Sequence, residues 1–170
     1  MINFYSMSES APLRITRDVC TILSMVCGAD VQHLLKLDLH EILSNFYLIS
    51  KCSDNDLKTI AIYACTLLLR LQKISKHITA RNVKKLFIVS LVFACNMLSD
   101  LELPFSVWPA FSRCLDESSV LSEMCVWYLK SIHWNLHIKS DLYNSMLGLI
   151  SSQPELEPLT TPRIIDSNNN

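Results

Sequence analysis

The sequence predicts an all-α protein arranged around a central helix. Apolar residues recur at spacings of three and four along most of the chain, and no segment alternates as a half-buried strand would. Residues 86–98 are apolar at nearly every one of thirteen positions. A surface helix carries a single apolar stripe, so a segment that is apolar all round must be enclosed by other elements. A membrane span needs roughly 18 or more such residues. This run is shorter, contains Ser90 and Asn96, and is fenced by Lys84, Lys85 and Asp100, so a central core helix is expected over about 81–99. With half of its 170 residues hydrophobic, the chain can bury one sizeable core as a single domain.

The remaining elements follow in order. A helix is predicted from about 14 to 27, ended by Gly28, then one or two helical segments through 30–50. Ser53 or Asp54 can cap the next helix, to about 72, whose Leu57, Ile60, Ala61, Ala64, Leu67, Leu68 and Leu71 keep helical spacing. Thr79 is the expected cap of the central helix. Pro104 and Pro109 bracket a short segment, "PFSVWPAFSRCL", in which a short helix is expected, since proline is tolerated in a first turn. Ser118 or Ser119 caps "SVLSEMCVWYLKSIHW", and a last helix starts near Ser140 and fades after Ile150. The expected organisation is a flexible terminus (1–12), an N-terminal helical extension (13–35), a main helical domain (36–150) and a flexible, proline-rich polar tail (151–170).

Composition argues against several functions. Two isolated glycines cannot form a phosphate-cradling loop or a dinucleotide fingerprint. Fifteen basic and sixteen acidic residues nearly cancel, so the field that would hold nucleic acid is missing and no nucleic-acid partner is expected. Seven cysteines form no C-x-x-C and mostly lie in apolar helical runs, which predicts reduced, buried thiols. With no apolar signal segment near the start, cytoplasm or nucleus is the expected location. "HWNLH" spaces His133 and His137 for one helix face, but no third ligand is near, and His40-Glu41 lacks the second histidine of a zincin. No serine sits in G-x-S-x-G. Neither a cofactor, a metal nor a small-molecule ligand is expected.

From 39 to 146 the chain resembles a single cyclin box, most closely those of the phosphate-regulating yeast cyclins and the cyclin Y group. "LHEILSNFYLISKCSDNDLKTIAIYACTLLLRL" is similar to the first two box helices, with Arg70 at the arginine of Y-[IL]-x-R. "ITARNVKKLFIVSLVFACNMLSD" is similar to the third, "FSVWPAF" to the fourth and "LSEMCVWYLKSIHWNLHI" to the fifth. The resemblance implies a five-helix box around its third helix, preceded by one or two extra helices. It also implies a non-catalytic subunit that binds and activates a cyclin-dependent protein kinase, helping to order the kinase's ion pair and activation loop.

The residues that the resemblance places against a kinase are Asn96, Met97, Leu98 and Asp100 on the third helix, and Glu123, Cys125, Val126, Leu129 and Trp134 on the fifth. Two depart from the family pattern: Asn96 stands for its lysine and Cys125 for its glutamate. Losing both charges together leaves a more apolar patch of Met97, Leu98, Val126, Leu129 and Trp134. Glu123, on a different face, is a poor substitute for the missing acid. By residue type, Met97, Leu98 and Leu129 fit a core as readily as a contact, and one of Trp127 and Trp134 is expected to be an exposed anchor. Lys84 and Lys85 are expected to form a solvated rim. Thr161-Pro162-Arg163 has the minimal form of a proline-directed phosphorylation site. The alternatives are a cyclin-fold adaptor that activates no kinase, motivated by the two lost charges, and, last, an enzyme with a dispersed helical site.

Overall fold

The structure is a computed structural model that describes residues 9–28, 32–76, 78–101, 103–112 and 118–151. The described residues are helical with no strand: α1 (Ala11–Cys27), α2 (Gln32–Ser50), α3 (Asp54–Ser75), α4 (Val83–Leu98), a 3-10 helix (Phe105–Phe111), α5 (Ser118–Ser131) and α6 (Ser140–Ser151). The expected tail beyond Ser151 and Thr161 lie outside the described residues, as does Cys114.

Local chemistry accounts for most boundaries. α1 starts at Ala11, inside the segment expected to be flexible, because Pro12 sits in its first turn, where a missing N–H leaves no bond unmade. Ser10, in extended backbone, accepts from Leu13 and Arg14 through its carbonyl at 3.0 and 3.1 Å. Gly28 closes the helix with φ +88°, its N–H donating to the Ser24 carbonyl; that conformation suits glycine. α2 is one continuous helix. Ser53 caps α3 as expected, its Oγ accepting from the Asp56 N–H at 3.1 Å. Thr79 does not cap α4: its carbonyl accepts from Asn82 and Val83, and the helix begins only at Val83. Asn82 makes the side-chain bond instead, its Oδ1 accepting from the Thr79 N–H.

The core has two central helices. Every residue from 86 to 95 of α4 is buried, as the apolar run requires, but so is every residue from 60 to 68 of α3. α3 packs against α1, α4, α5 and α6, while α4 packs against α2, α3 and α5. The stripe Ile15, Val19, Ile22, Leu23 and Val26 brings α1 into the same core, which extends from Ala11 to Met146. An all-helical fold is therefore shown, and its axis is the α3–α4 pair.

Buried polar groups in this pair are satisfied, which is what allows polar residues inside it. The Thr66 hydroxyl donates to the Ile62 carbonyl at 2.8 Å. Ser90 Oγ donates to the Leu86 carbonyl at 2.9 Å and lies 2.8 Å from Tyr128 Oη on α5. Ser90 has one hydroxyl proton, so Tyr128 is the donor between them. Phe93 packs edge-on to the Tyr128 ring, at 5.4 Å between centroids.

The 3-10 helix holds α2 to the bundle. Its three-residue repeat aligns positions i and i+3, which puts Trp108 and Phe111 on one side, both buried, around Phe46. Asn45 Nδ2 donates to the Phe111 carbonyl. Lys84 is not a free rim charge: its Nζ pairs with Asp38 of α2 at 2.7 Å.

The Ser90–Tyr128 bond yields an asymmetric expectation. Ser90→Ala strands a buried phenol donor and should destabilise by about 1–3 kcal/mol, whereas Tyr128→Phe leaves Ser90 bonded to Leu86 and should cost about 1 kcal/mol. Denaturant unfolding of both variants and the double variant measures the difference and the coupling.

Candidate partner-binding surface

α4 changes character at its last turn. Leu86 to Cys95 is enclosed, and then Asn96, Met97 and Leu98 emerge, with Met97 46% and Leu98 41% exposed. Ser99 stops the helix in extended backbone, its N–H and hydroxyl both donating to the Cys95 carbonyl at 3.0 and 2.9 Å. Asp100 follows, exposed. Leu98 lines a cleft of about 280 Å3 together with Thr59 and Tyr63 of α3, Ile138, and Ser140, Tyr143 and Asn144 of α6.

α5 has two faces. Leu121, Cys125 and Tyr128, continued by Ile132, form the buried stripe. Glu123, Val126, Trp127 and Lys130 are exposed and, with Ser122, line an open groove of about 440 Å3. Cys125 therefore lies on the buried stripe and not on the exposed face: it is 7% exposed and packs in the core. A glutamate there would be a buried charge, so the cysteine at this position fits its surroundings. Leu129 lies at the edge, half-buried against the core.

The helix ends three residues before the apolar pattern does. The Trp134 N–H donates to the Leu129 carbonyl at 2.7 Å and the His133 N–H to the Lys130 carbonyl at 3.1 Å. These are the two bonds of a Schellman ending, but with histidine where glycine is usual. His133 (φ +54°) and Trp134 (φ +60°) are both left-handed, a conformation that costs bulky residues energy. The ending ties Leu129 to Trp134 through the backbone and leaves Trp134 63% exposed. Trp127 is also exposed, so both tryptophans are surface residues, not one of them. His133 and His137 do not share a helix face, because the helix has already ended at Ser131.

α3 holds this turn from behind. Arg70 donates to the carbonyls of Asn135 at 2.7 Å and His137 at 2.5 Å, and Tyr63 Oη donates to the Leu136 carbonyl at 2.8 Å. Tyr63 and Arg70 are seven residues apart, hence on one face of α3. They clamp three successive carbonyls, and the clamp fixes the chain just after Trp134.

Of the nine residues expected to form one surface, Leu98 lies in the cleft beside α6, and Glu123 and Val126 lie in the groove on α5. Asn96, Met97, Asp100 and Trp134 are exposed outside both sets of lining residues. Trp127 and Lys130 complete the groove but were not among the nine; their spacing from Glu123, four and seven residues, was the available signal.

Among the described residues no group of His, Cys, Asp or Glu is placed to hold a metal ion. Burial pushes the Cys20 and Cys125 thiols up to about 11, and raises Cys65 as well. These thiols stay protonated at neutral pH, which suits packing and not nucleophilic attack.

Three outcomes are expected. Arg70→Met should destabilise by about 1–2 kcal/mol and speed amide exchange over 133–137, which hydrogen-exchange mass spectrometry would read. His133→Gly should relieve the left-handed residue and raise the melting temperature by roughly 2–3 °C. For the thiols, an unfolded chain ionises near the ordinary value of 9.0 while folded Cys20 and Cys125 keep their protons to about 11. The folded state then binds more protons than the unfolded one, so stability is full below about pH 9 and falls as pH rises through about 9–11. A Cys20→Ala/Cys125→Ala variant should lose stability less steeply across that window in thermal melts; an equal slope would contradict the assignment.

No protein-family model, no curated protein and no solved structure matches the chain.

Proposed function

We propose that the protein is a cyclin-like regulatory subunit that binds and activates a cyclin-dependent protein kinase, with no catalytic residue of its own. The observation that carries this reading is the ordered resemblance of residues 39–146 to a cyclin box, falling on successive helices. It is supported by an enclosed α4 whose last turn exposes Met97 and Leu98, and by an α5 whose outer face exposes Val126 and Trp127, with Trp134 just beyond. Exposed apolar side chains at the ends of rigid helices are suited to anchor a partner. A subunit of this kind acts by binding the active arrangement of its partner better than the inactive one.

A cyclin-fold adaptor that activates no kinase is the second reading. It is favoured by the placement of Asn96 and Cys125: the first is exposed but uncharged, the second is in the core, so neither can supply a charge to a kinase.

Affinity purification of the tagged protein from its own cells, with mass spectrometry and a kinase assay on the eluate, separates the two. The kinase reading expects a stoichiometric kinase whose binding falls about tenfold or more in Met97→Glu and Val126→Glu, both exposed positions at which the fold should survive. Asn96→Lys should strengthen binding, since it restores a charged donor at an exposed site. Other partners without any kinase would leave the adaptor.

A further inference from the structure

The outer face of α5 carries a charge pattern that is complementary to itself. Glu123 and Lys130 are seven residues apart, two helical turns, so they lie on one face about 10 Å apart along the axis. Between them stand Val126, 45% exposed, and Trp127, 42% exposed. All four line the same open groove, and among the described residues neither Glu123 nor Lys130 forms an ion pair within the chain. The midpoint of the pattern falls between 126 and 127.

That placement has a geometric consequence. A second α5 laid antiparallel across the first, about a two-fold axis through this midpoint, puts each Glu123 opposite the Lys130 of the other copy. The same operation puts each Val126 opposite the other Trp127. In a two-fold interface residue i meets j and j meets i, which is the order these four residues show. A parallel pairing would set like charges against each other.

We propose that α5 is the interface of a symmetric homodimer, two copies packing antiparallel through Ser122, Glu123, Val126, Trp127 and Lys130. One helix per copy gives an interface at or below the small end of the stable range of about 1,200–2,000 Å2, so the dimer is a concentration-dependent equilibrium. The ion pairs at its edges set the orientation more than the affinity. Glu123 and Val126 also belong to the surface proposed for a kinase, so dimerisation and kinase binding compete for α5. The dimer does not depend on that reading.

Sedimentation equilibrium of the full chain over a concentration series is the test, because it involves no kinase. The chain is expected to shift with concentration from its 19.4 kDa mass toward twice that value. Glu123→Lys and Lys130→Glu should each weaken self-association by about tenfold or more, since each sets like charges face to face. The combined Glu123→Lys/Lys130→Glu variant should regain it, and an equimolar mixture of the two single variants should associate more tightly than either does alone. Circular dichroism verifies that these surface variants remain folded. A chain that stays monomeric at every concentration overturns the proposal, as does a dimer that ignores either single charge reversal or is not restored by the swap.

Discussion

The structure depends on one constraint: the middle stretches of two adjacent helices, residues 60–68 of α3 and 86–95 of α4, are enclosed on all sides, and every polar side chain inside them must find a partner there. Thr66 and Ser90 meet it by bonding back to their own helices, and Ser90 and Tyr128 meet it across the α4–α5 contact. Among the described residues no buried side-chain nitrogen or oxygen is left without a hydrogen bond. Close packing of this kind makes the pair a rigid reference against which the outer elements are placed. α1, α2 and α6 gather around it, and the 3-10 helix fixes α2 through an aromatic contact among Phe46, Trp108 and Phe111.

From that rigid centre, position passes outward to the surface. Tyr63 is buried on α3 and Arg70 lies one face-repeat further on, and together they take hold of three carbonyls in the connection between α5 and α6. The connection contains two consecutive left-handed residues, and the clamp is what makes that backbone tolerable. Trp134 is thereby presented from a fixed turn and not from a loose end. Met97 and Leu98 are likewise fixed, as the last turn of a helix whose preceding ten residues are enclosed. The backbone that carries these side chains is ordered before a partner arrives, which lowers the cost of binding.

The sequence revealed the helices because their periodicity and caps are local properties. Gly28, Ser53 and Pro104, which precedes the short helix, carried signals that the backbone obeys, whereas Pro109 lies inside that 3-10 helix and does not bound it. Thr79 misled because Asn82, three residues on, competes for the same turn. The run "LFIVSLVFACNML" continues without a break to Leu98, so nothing local marks where α4 leaves the core. The end of α5 was hidden for a related reason: its closing residue is a histidine, where glycine would have announced the turn. Cys125 was legible by another route, since Leu121, Cys125, Tyr128 and Ile132 keep the spacing of a buried stripe. Arg70 reaches carbonyls 65 and 67 residues away, and no sequence signal encodes such a contact.

The central functional claim is that the exposed end of α4 faces a protein kinase. A photo-crosslinking amino acid placed at Met97, in cells, tests it most directly, with the exposed Lys73 on α3 as the control position. Met97 is expected to capture a cyclin-dependent kinase, with the crosslink mapping to the kinase domain, and Lys73 is expected not to capture it. Capture of no kinase at Met97, or equal capture at Lys73, would contradict it.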